Sequence, residues 1–475
     1  MKPCSASRGG WHDIVESEHI INVILIVSDT LRRDHLPCYG NEDVLAPRLS
    51  AFAEQALVFD RCYAASFPTV PARADLMTGR YTFTYLDWGP LPQSEHTLAE
   101  YLSDAGYLTF GVTDTPFLLR NGYGYDRGFR DFQWFRGQRS GPEHDDVASQ
   151  RRSEEDYFAP RTFRAAVQWL ERNHKEKFFL YVDTWDPHEP WDPPDYYVRP
   201  YYPDYAGELV NPCYWYWKED GFTQKDLEIA HACYRGEISM VDRWFGILMD
   251  RLKSLALLET TAVIFLSDHG YYFGEHGIFG KRLFRWPENL SFTEGLERGL
   301  AIDAGFTYRS PLHTELTQVP LLMHIPGFDA GRIGGLVSIP DIMPTILELV
   351  GLSLPGSVQA KSLLPLMRAD TDDVHDLIVS SAPLETVGET TKTVDDLARK
   401  AVEVSPSTIT DGTWDFLYSV EGETNELYRS EEDPGHKNNL SEERPDVVEK
   451  LHAKFSKWLA AVGTPEHLLT PRKKI

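Results

Sequence analysis

The chain has 475 residues, 42% of them hydrophobic and 25% charged, enough for one large α/β domain with an appendage or for two average domains. A formal net charge of −25 argues against a nucleic-acid partner, because phosphate binding needs a basic face. Five cysteines in no metal-like spacing point away from a disulfide framework, and no run approaches the roughly 20 apolar residues of a membrane span.

Residues 1–19 are polar without an apolar h-region and read as an N-terminal extension rather than a secretory signal. With the cysteine usage, this predicts a cytoplasmic protein with no membrane partner. "IINVILIVSD" (20–29) is a nearly unbroken β-branched run, as expected of a strand buried on both faces. "SAFAEQALVF" (50–59) and "TLAEYLSDAGY" (97–107) predict amphipathic helices, the second ending at Gly106. "LTFGVTD" (108–114) predicts a strand. "RTFRAAVQWLERNH" (161–174) predicts a helix feeding the strand "KFFLYVDTW" (177–185). "EISMVDRWFGILMDRLKSL" (237–255) repeats the pattern ahead of "TAVIFLSDHG" (261–270). Such alternation implies a mostly parallel sheet with helices on both faces.

Residues 185–217 are crowded with Trp, Tyr and Pro, and read as a lid or a packed surface loop. Their aromatic rings could also hold a quaternary ammonium headgroup through cation–π attraction. Residues 285–313 read as an insertion. A charged, Thr-rich stretch follows residue 385, then two strands in "TWDFLYSVEGETNELY" and a last helix in "RPDVVEKLHAKFSKWL". The expected division is therefore an extension (1–19), a main domain (20–385) and a C-terminal α+β subdomain (386–475).

Three strands end in polar groups: Asp29, the 183–188 segment, and Asp268 with His269. In open α/β sheets, sites form beyond the carboxyl ends of strands. Two carboxylates and an imidazole suit a divalent cation, Mn²⁺ or Zn²⁺ ahead of Ca²⁺ or Mg²⁺. A cation would help a hydroxyl such as Thr69 act as a nucleophile, and Arg73, four residues on, suits an anionic group.

These segments resemble the sulfatase branch of the alkaline phosphatase superfamily across about residues 20–460. "NVILIVSDTLRRDHLPCYG" is similar to its first metal strand, and "TVPARADLMTGRY" to its nucleophile loop. "DPHEPW" is similar to its Pro-His-x-Pro segment, and "FLSDHGYYFGEHGIFGK" to its second metal strand. "IPDIMPTILELVGL" and "NELYRSEEDPGHKNNL" resemble its closing segments. The resemblance implies metal ligation by Asp29, Thr69, Asp268 and His269, with Thr69 as nucleophile. It implies anion binding by Arg73 and Lys281, and assistance to the leaving group by His188. The implied partner is a small anionic ester, and a homo-oligomer is compatible with it. His276 and His313, with Asp183 or Asp186, are weaker candidates for a second metal.

The chain departs from the family pattern in three places. Thr69 stands where sulfatases carry the cysteine that becomes formylglycine, Thr30 replaces a second Asp, and "GVTDTPF" (111–117) lacks a lysine. Asp114 and Thr113 stand in that lysine segment's place. The remaining set looks more like the phosphonate monoester and phosphodiester hydrolases of the same branch. A threonine ester cannot collapse to an aldehyde and must be hydrolysed at its central atom, which favours phosphorus over sulfur. Sulfate-ester hydrolysis by unmodified threonine, and a catalytically silent anion-binding homologue, are the alternatives.

Overall fold

The first buried strand sets the architecture of this computed structural model, which describes residues 22–115, 118, 122–135, 153–285, 307–384, 406–420 and 425–475. The N-terminal extension, residues 286–306 of the insertion and the Thr-rich stretch at 385–405 lie outside the described residues. One nine-stranded sheet comprises β1 (Asn22–Ser28), β2 (Leu57–Tyr63), β3 (Leu108–Thr113), β4 (Asp131–Trp134), β5 (Phe178–Thr184), β6 (Thr261–Leu266), β7 (Gln318–Val319), β8 (Leu321–His324) and β9 (Gly331–Ser338). Strands β6, β1, β5, β3 and β4 lie side by side and parallel. Beyond β6, β8 runs antiparallel to both β6 and β2, while β9 is parallel to β2. The short β7 also pairs antiparallel with β2.

Alternate residues of β1 feed two cores, as the two-residue repeat of a strand requires. Ile24 and Ile26 pack in one core with Leu49, Phe163 and Phe245 from α1 (Pro47–Ala53), α4 (Phe158–Asn173) and α5 (Gln224–Ser254). Val23, Leu25 and Val27 pack in the other with Met77, Leu102 and Ile346 from α2 (Thr69–Thr78), α3 (Leu98–Asp104) and α6 (Ile342–Leu349). The layering is the α/β arrangement that the alternation implies.

The helix expected over 50–59 is only half realised. α1 ends at Ala53, and Leu57–Tyr63 becomes β2, because Val58 and Phe59 bury fully as a strand between neighbours on both sides. α5 begins at Gln224, well before 237, where Thr223 and Asp226 form a capping box. The aromatic loop folds inward: Trp191 is 1% exposed and meets Tyr271 edge-on at 5.2 Å. Trp191 and Tyr205 are thus core residues, not walls of an open ammonium cage.

A second sheet is antiparallel, in the order β10 (Ile378–Ser380), β11 (Ser407–Thr410), β12 (Trp414–Tyr418) and β13 (Glu426–Arg429), and shares a core with α7 (Pro445–Ala461). Ala65, Tyr81 and Phe83, which flank α2, belong to that same core. Ser381 N–H donates to Ala65 O (2.7 Å), and Phe67 N–H donates to Ser381 O (2.9 Å). The C-terminal layer therefore buttresses the segment that leads into α2.

Candidate active site

The parallel register puts the ends of β5, β1 and β6 side by side, with Ser28 opposite Thr184 and Val27 opposite Leu266. Asp29, Asp183 and Asp268 are thereby carried to one edge of the sheet, and all three are at most 2% exposed. Thr30, with φ 63°, turns the chain away from the strand: its N–H donates to Asp268 Oδ1 (2.9 Å) and its hydroxyl to Asp29 Oδ1 (2.6 Å). The residue replacing the second Asp thus orients the two flanking carboxylates. Gly270 closes the β6 turn, where a Cβ would lie 1.9 Å from Glu315 O.

Thr69 begins α2 and is 1% exposed, with its Oγ1 3.3 Å from His269 Nε2. His269 Nδ1 lies 3.0 Å from Gly270 O, a contact that requires the proton on Nδ1. Its Nε2 lone pair therefore faces Thr69, the tautomer a metal ligand needs. Burial holds His269 down to about 3, so the ring is neutral.

Asp29, Asp268 and His269 each offer a ligand atom within 4.8 Å of the others, and no other such group of three occurs among the described residues. Asp29 Oδ2 is buried and makes no hydrogen bond, only an ion pair with Arg73 Nη1 at 2.9 Å. Burial and the neighbouring Asp268 push the Asp29 carboxyl well above its usual range. Against the upward push of burial, the Arg73 guanidinium and the hydrogen bond from Thr30 N–H hold Asp268 below its usual range. An under-satisfied buried carboxylate beside a second carboxylate and a neutral imidazole fits a divalent cation.

Arg73 projects from α2 one turn beyond Thr69 and is 1% exposed. Its Nε and Nη2 donate to the two oxygens of Asp183 (2.9 and 2.7 Å), while Nη1 meets Asp268 Oδ2 and donates to Thr69 O (3.2 Å). The bidentate edge of the guanidinium is occupied by Asp183, a partner that sequence reasoning missed. Asp183 also accepts from Tyr181 (2.6 Å) and Thr115 (2.9 Å), so its carboxylate is fully engaged. The absence of the lysine in "GVTDTPF" was the available signal: Thr115 of that segment holds Asp183 instead.

His188 and Lys281 meet each other. Lys281 Nζ lies 2.5 Å from His188 Nε2, His188 Nδ1 lies 2.7 Å from Glu189 O, and the Trp185 ring stacks on His188 at 3.7 Å. All seven sequence-derived candidates are buried, in two groups: Asp29, Thr69, Arg73, Asp268 and His269 in one, His188 with Lys281 in the other. His276 and His313 join neither. They stack on each other at 3.8 Å, and His313 meets His436 at 3.0 Å, while Asp183 is committed to Arg73. Asp114 is fully buried and accepts from Trp185 N–H and Thr162, so it supports the 183–188 turn.

The sulfatase family profile matches residues 21–352. An arylsulfatase of Clostridium perfringens is 25% identical over 417 residues, covering 75% of this chain and 80% of that protein. A multifunctional alkaline phosphatase superfamily protein, PehA of Trinickia caryophylli, is 25% identical over 425 residues, covering 73% of this chain and 77% of that protein. The crystal structure of the phosphonate monoester hydrolase of Agrobacterium radiobacter superposes with a TM-score of 0.72 at 19% identity, covering 93% of this chain and 96% of that one. Since the profile spans well over half the sequence and the fold agrees along nearly its whole length, this chain belongs to the sulfatase family, hydrolases of ester bonds within the alkaline phosphatase-like superfamily.

Proposed function

We propose that this sulfatase-family hydrolase cleaves phosphodiester or phosphonate monoester bonds through a covalent intermediate on Thr69. The observation that carries the reading is a buried hydroxyl, not a modifiable cysteine, at the first turn of α2 and facing the lone pair of His269. Asp29, Asp268, His269 and the Thr69 oxygen would hold a divalent cation, which when bound lowers the hydroxyl pKa and offsets charge on the phosphoryl oxygens.

The chain's own groups divide the remaining work. Thr69 Oγ, its hydroxyl proton given up to solvent, forms the bond to phosphorus as the bond to the leaving oxygen breaks. The His188–Lys281 pair supplies the proton that the leaving oxygen takes up. Water then attacks the same phosphorus, returning a proton to the His188–Lys281 pair as the bond to Thr69 Oγ breaks, and the Thr69 oxygen regains its proton from solvent. Arg73, fixed by Asp183, holds positive charge beside the nucleophile. One observation favours a second reading, sulfate-ester hydrolysis on the same threonine: the similarity to an arylsulfatase.

A paired assay of wild type and Thr69→Ala with Mn²⁺ or Zn²⁺ tests this. The substrates are p-nitrophenyl sulfate, p-nitrophenyl phosphate, bis(p-nitrophenyl) phosphate and a phenylphosphonate ester. The expected result is turnover of diester or phosphonate, lost at least about a thousandfold in the variant. Preferential sulfate turnover would favour the second reading. Silence on every ester with metal bound would leave an anion-binding homologue.

A further inference from the structure

We propose that the hydroxyls of Tyr234 and Ser267 are positioning groups that fix the 30–32 turn and, through it, both carboxylates of the cation site. The inference rests on the preceding reading only in taking Asp29, Asp268 and His269 as the groups that hold a divalent cation. A β-branched residue at φ 63° is strained and keeps that conformation only where its surroundings impose it. Here three consecutive buried N–H groups are each taken by a side chain from a distant segment. Thr30 donates to Asp268 Oδ1 (2.9 Å), Leu31 to Ser267 Oγ (2.9 Å) and Arg32 to Tyr234 Oη (2.8 Å).

Each hydroxyl also donates. Tyr234, on α5, gives its proton to Thr30 O (2.8 Å), so one oxygen atom ties both ends of the turn. Ser267 gives its proton to His269 O (3.0 Å), which joins the turn to the segment carrying Asp268 and His269. Between these anchors, Thr30 holds Oδ1 of Asp29 through its hydroxyl and Oδ1 of Asp268 through its N–H. The Oδ2 atoms of the two carboxylates then face Arg73 Nη1, at 2.9 and 2.5 Å. Two buried like charges are thus aimed by one threonine, and that threonine by the two hydroxyls.

Packing alone does not call for a tyrosine at 234. Its ring lies in the core, edge-on to Trp191 (6.1 Å) and tilted against Phe273 (4.8 Å), where phenylalanine would fit as well. A buried hydroxyl costs stability unless its hydrogen bonds are made, and both of these go to the turn. Tyr234 lies ahead of the helix predicted over 237–255, and its partners are 202 and 204 residues away, so no motif marks it.

The test uses full-length wild type, Tyr234→Phe, Ser267→Ala and, as a control, Tyr39→Phe. The Tyr39 hydroxyl donates to Phe59 O and Leu321 O, a similar backbone link that joins β2 to β8 instead of holding the turn. Each protein is stripped of metal and titrated with Zn²⁺ against a chelating indicator, and its Co²⁺ form is read by visible absorption. Tyr234→Phe and Ser267→Ala should each weaken Zn²⁺ binding at least about tenfold and alter the Co²⁺ bands, with Tyr39→Phe within about twofold of wild type. An unchanged Kd and Co²⁺ spectrum in folded Tyr234→Phe overturns the inference. So does equal weakening in Tyr39→Phe, which would reduce the effect to lost stability. If Tyr234→Phe fails to fold, Ser267→Ala decides, and an unchanged Kd there overturns it. A wild type that binds no Zn²⁺ would sink the cation site and the inference together. Weakened binding in the variants of a wild type that turns over no ester would leave the inference standing and sink only the proposed reaction.

Discussion

Arg73 and Asp183 are the residue-scale feature that most constrains the site. A guanidinium buried among three carboxylates is tolerable only while the geometry is kept, and removing one partner leaves an uncompensated charge. Asp183→Asn should therefore cost about 3–5 kcal/mol in urea unfolding and lower turnover together with it. Arg73→Lys should not restore the loss, since an ammonium cannot span both Asp183 oxygens. A stability change within experimental error for Asp183→Asn would contradict this account of the pair. Asp29, Thr69, Arg73, His188, Asp268, His269 and Lys281 were legible because each sits in a recognisable motif. Asp183 was not legible as the partner of Arg73, because the two lie 110 residues apart and only the strand register brings them together.

At the scale of elements, Asp75 holds α2 in place. Its carboxylate accepts from the N–H and hydroxyl of both Ser66 and Thr82, which bracket α2 on either side. Burial nevertheless pushes Asp75 up to about 7. A carboxyl whose folded value lies above its unfolded one of about 3.9 contributes stability that is full below the unfolded value. That stability is lost as pH rises through about 7. Relative to a non-titrating Asp75→Asn variant, wild type should thus be favoured more at pH 5 than at pH 8, as measured by urea unfolding. Equal differences at the two pH values would sink the argument. The sequence placed Thr69 and Arg73 in one motif but gave no sign of this anchor, because hydrogen bonds from Ser66 and Thr82 to a single aspartate leave no pattern of spacing. The misread 50–59 segment has a similar cause. Its apolar residues fit either period until β8 and β9 supply partners on both edges of β2.

At the scale of the whole molecule, the C-terminal layer is integral to the site. Ala65, Tyr81 and Phe83 share one core with Phe416, Leu451 and Phe455, and Ser381 bonds across to Ala65 and Phe67. Phe455 is fully buried, so Phe455→Ala should cost about 3–5 kcal/mol. Because that core also contains residues flanking α2, calorimetry should show one cooperative transition, lowered as a whole in the variant. Two separated transitions, with the first sparing activity, would mean that the C-terminal layer is a detachable module. The alternation of strands and helices made the α/β class readable, but not this docking, which depends on contacts more than 300 residues apart.

The central claim is that Thr69 carries the covalent intermediate. Rapid acid quench of metal-loaded wild type during turnover of bis(p-nitrophenyl) phosphate or a phenylphosphonate ester, followed by peptide mass spectrometry, tests it directly. The expected result is a phosphoryl or phosphonyl adduct on the peptide containing Thr69 that builds within the first turnovers and is absent from Thr69→Ala. Sustained turnover with no adduct on that peptide, or comparable turnover by Thr69→Ala, would contradict the claim.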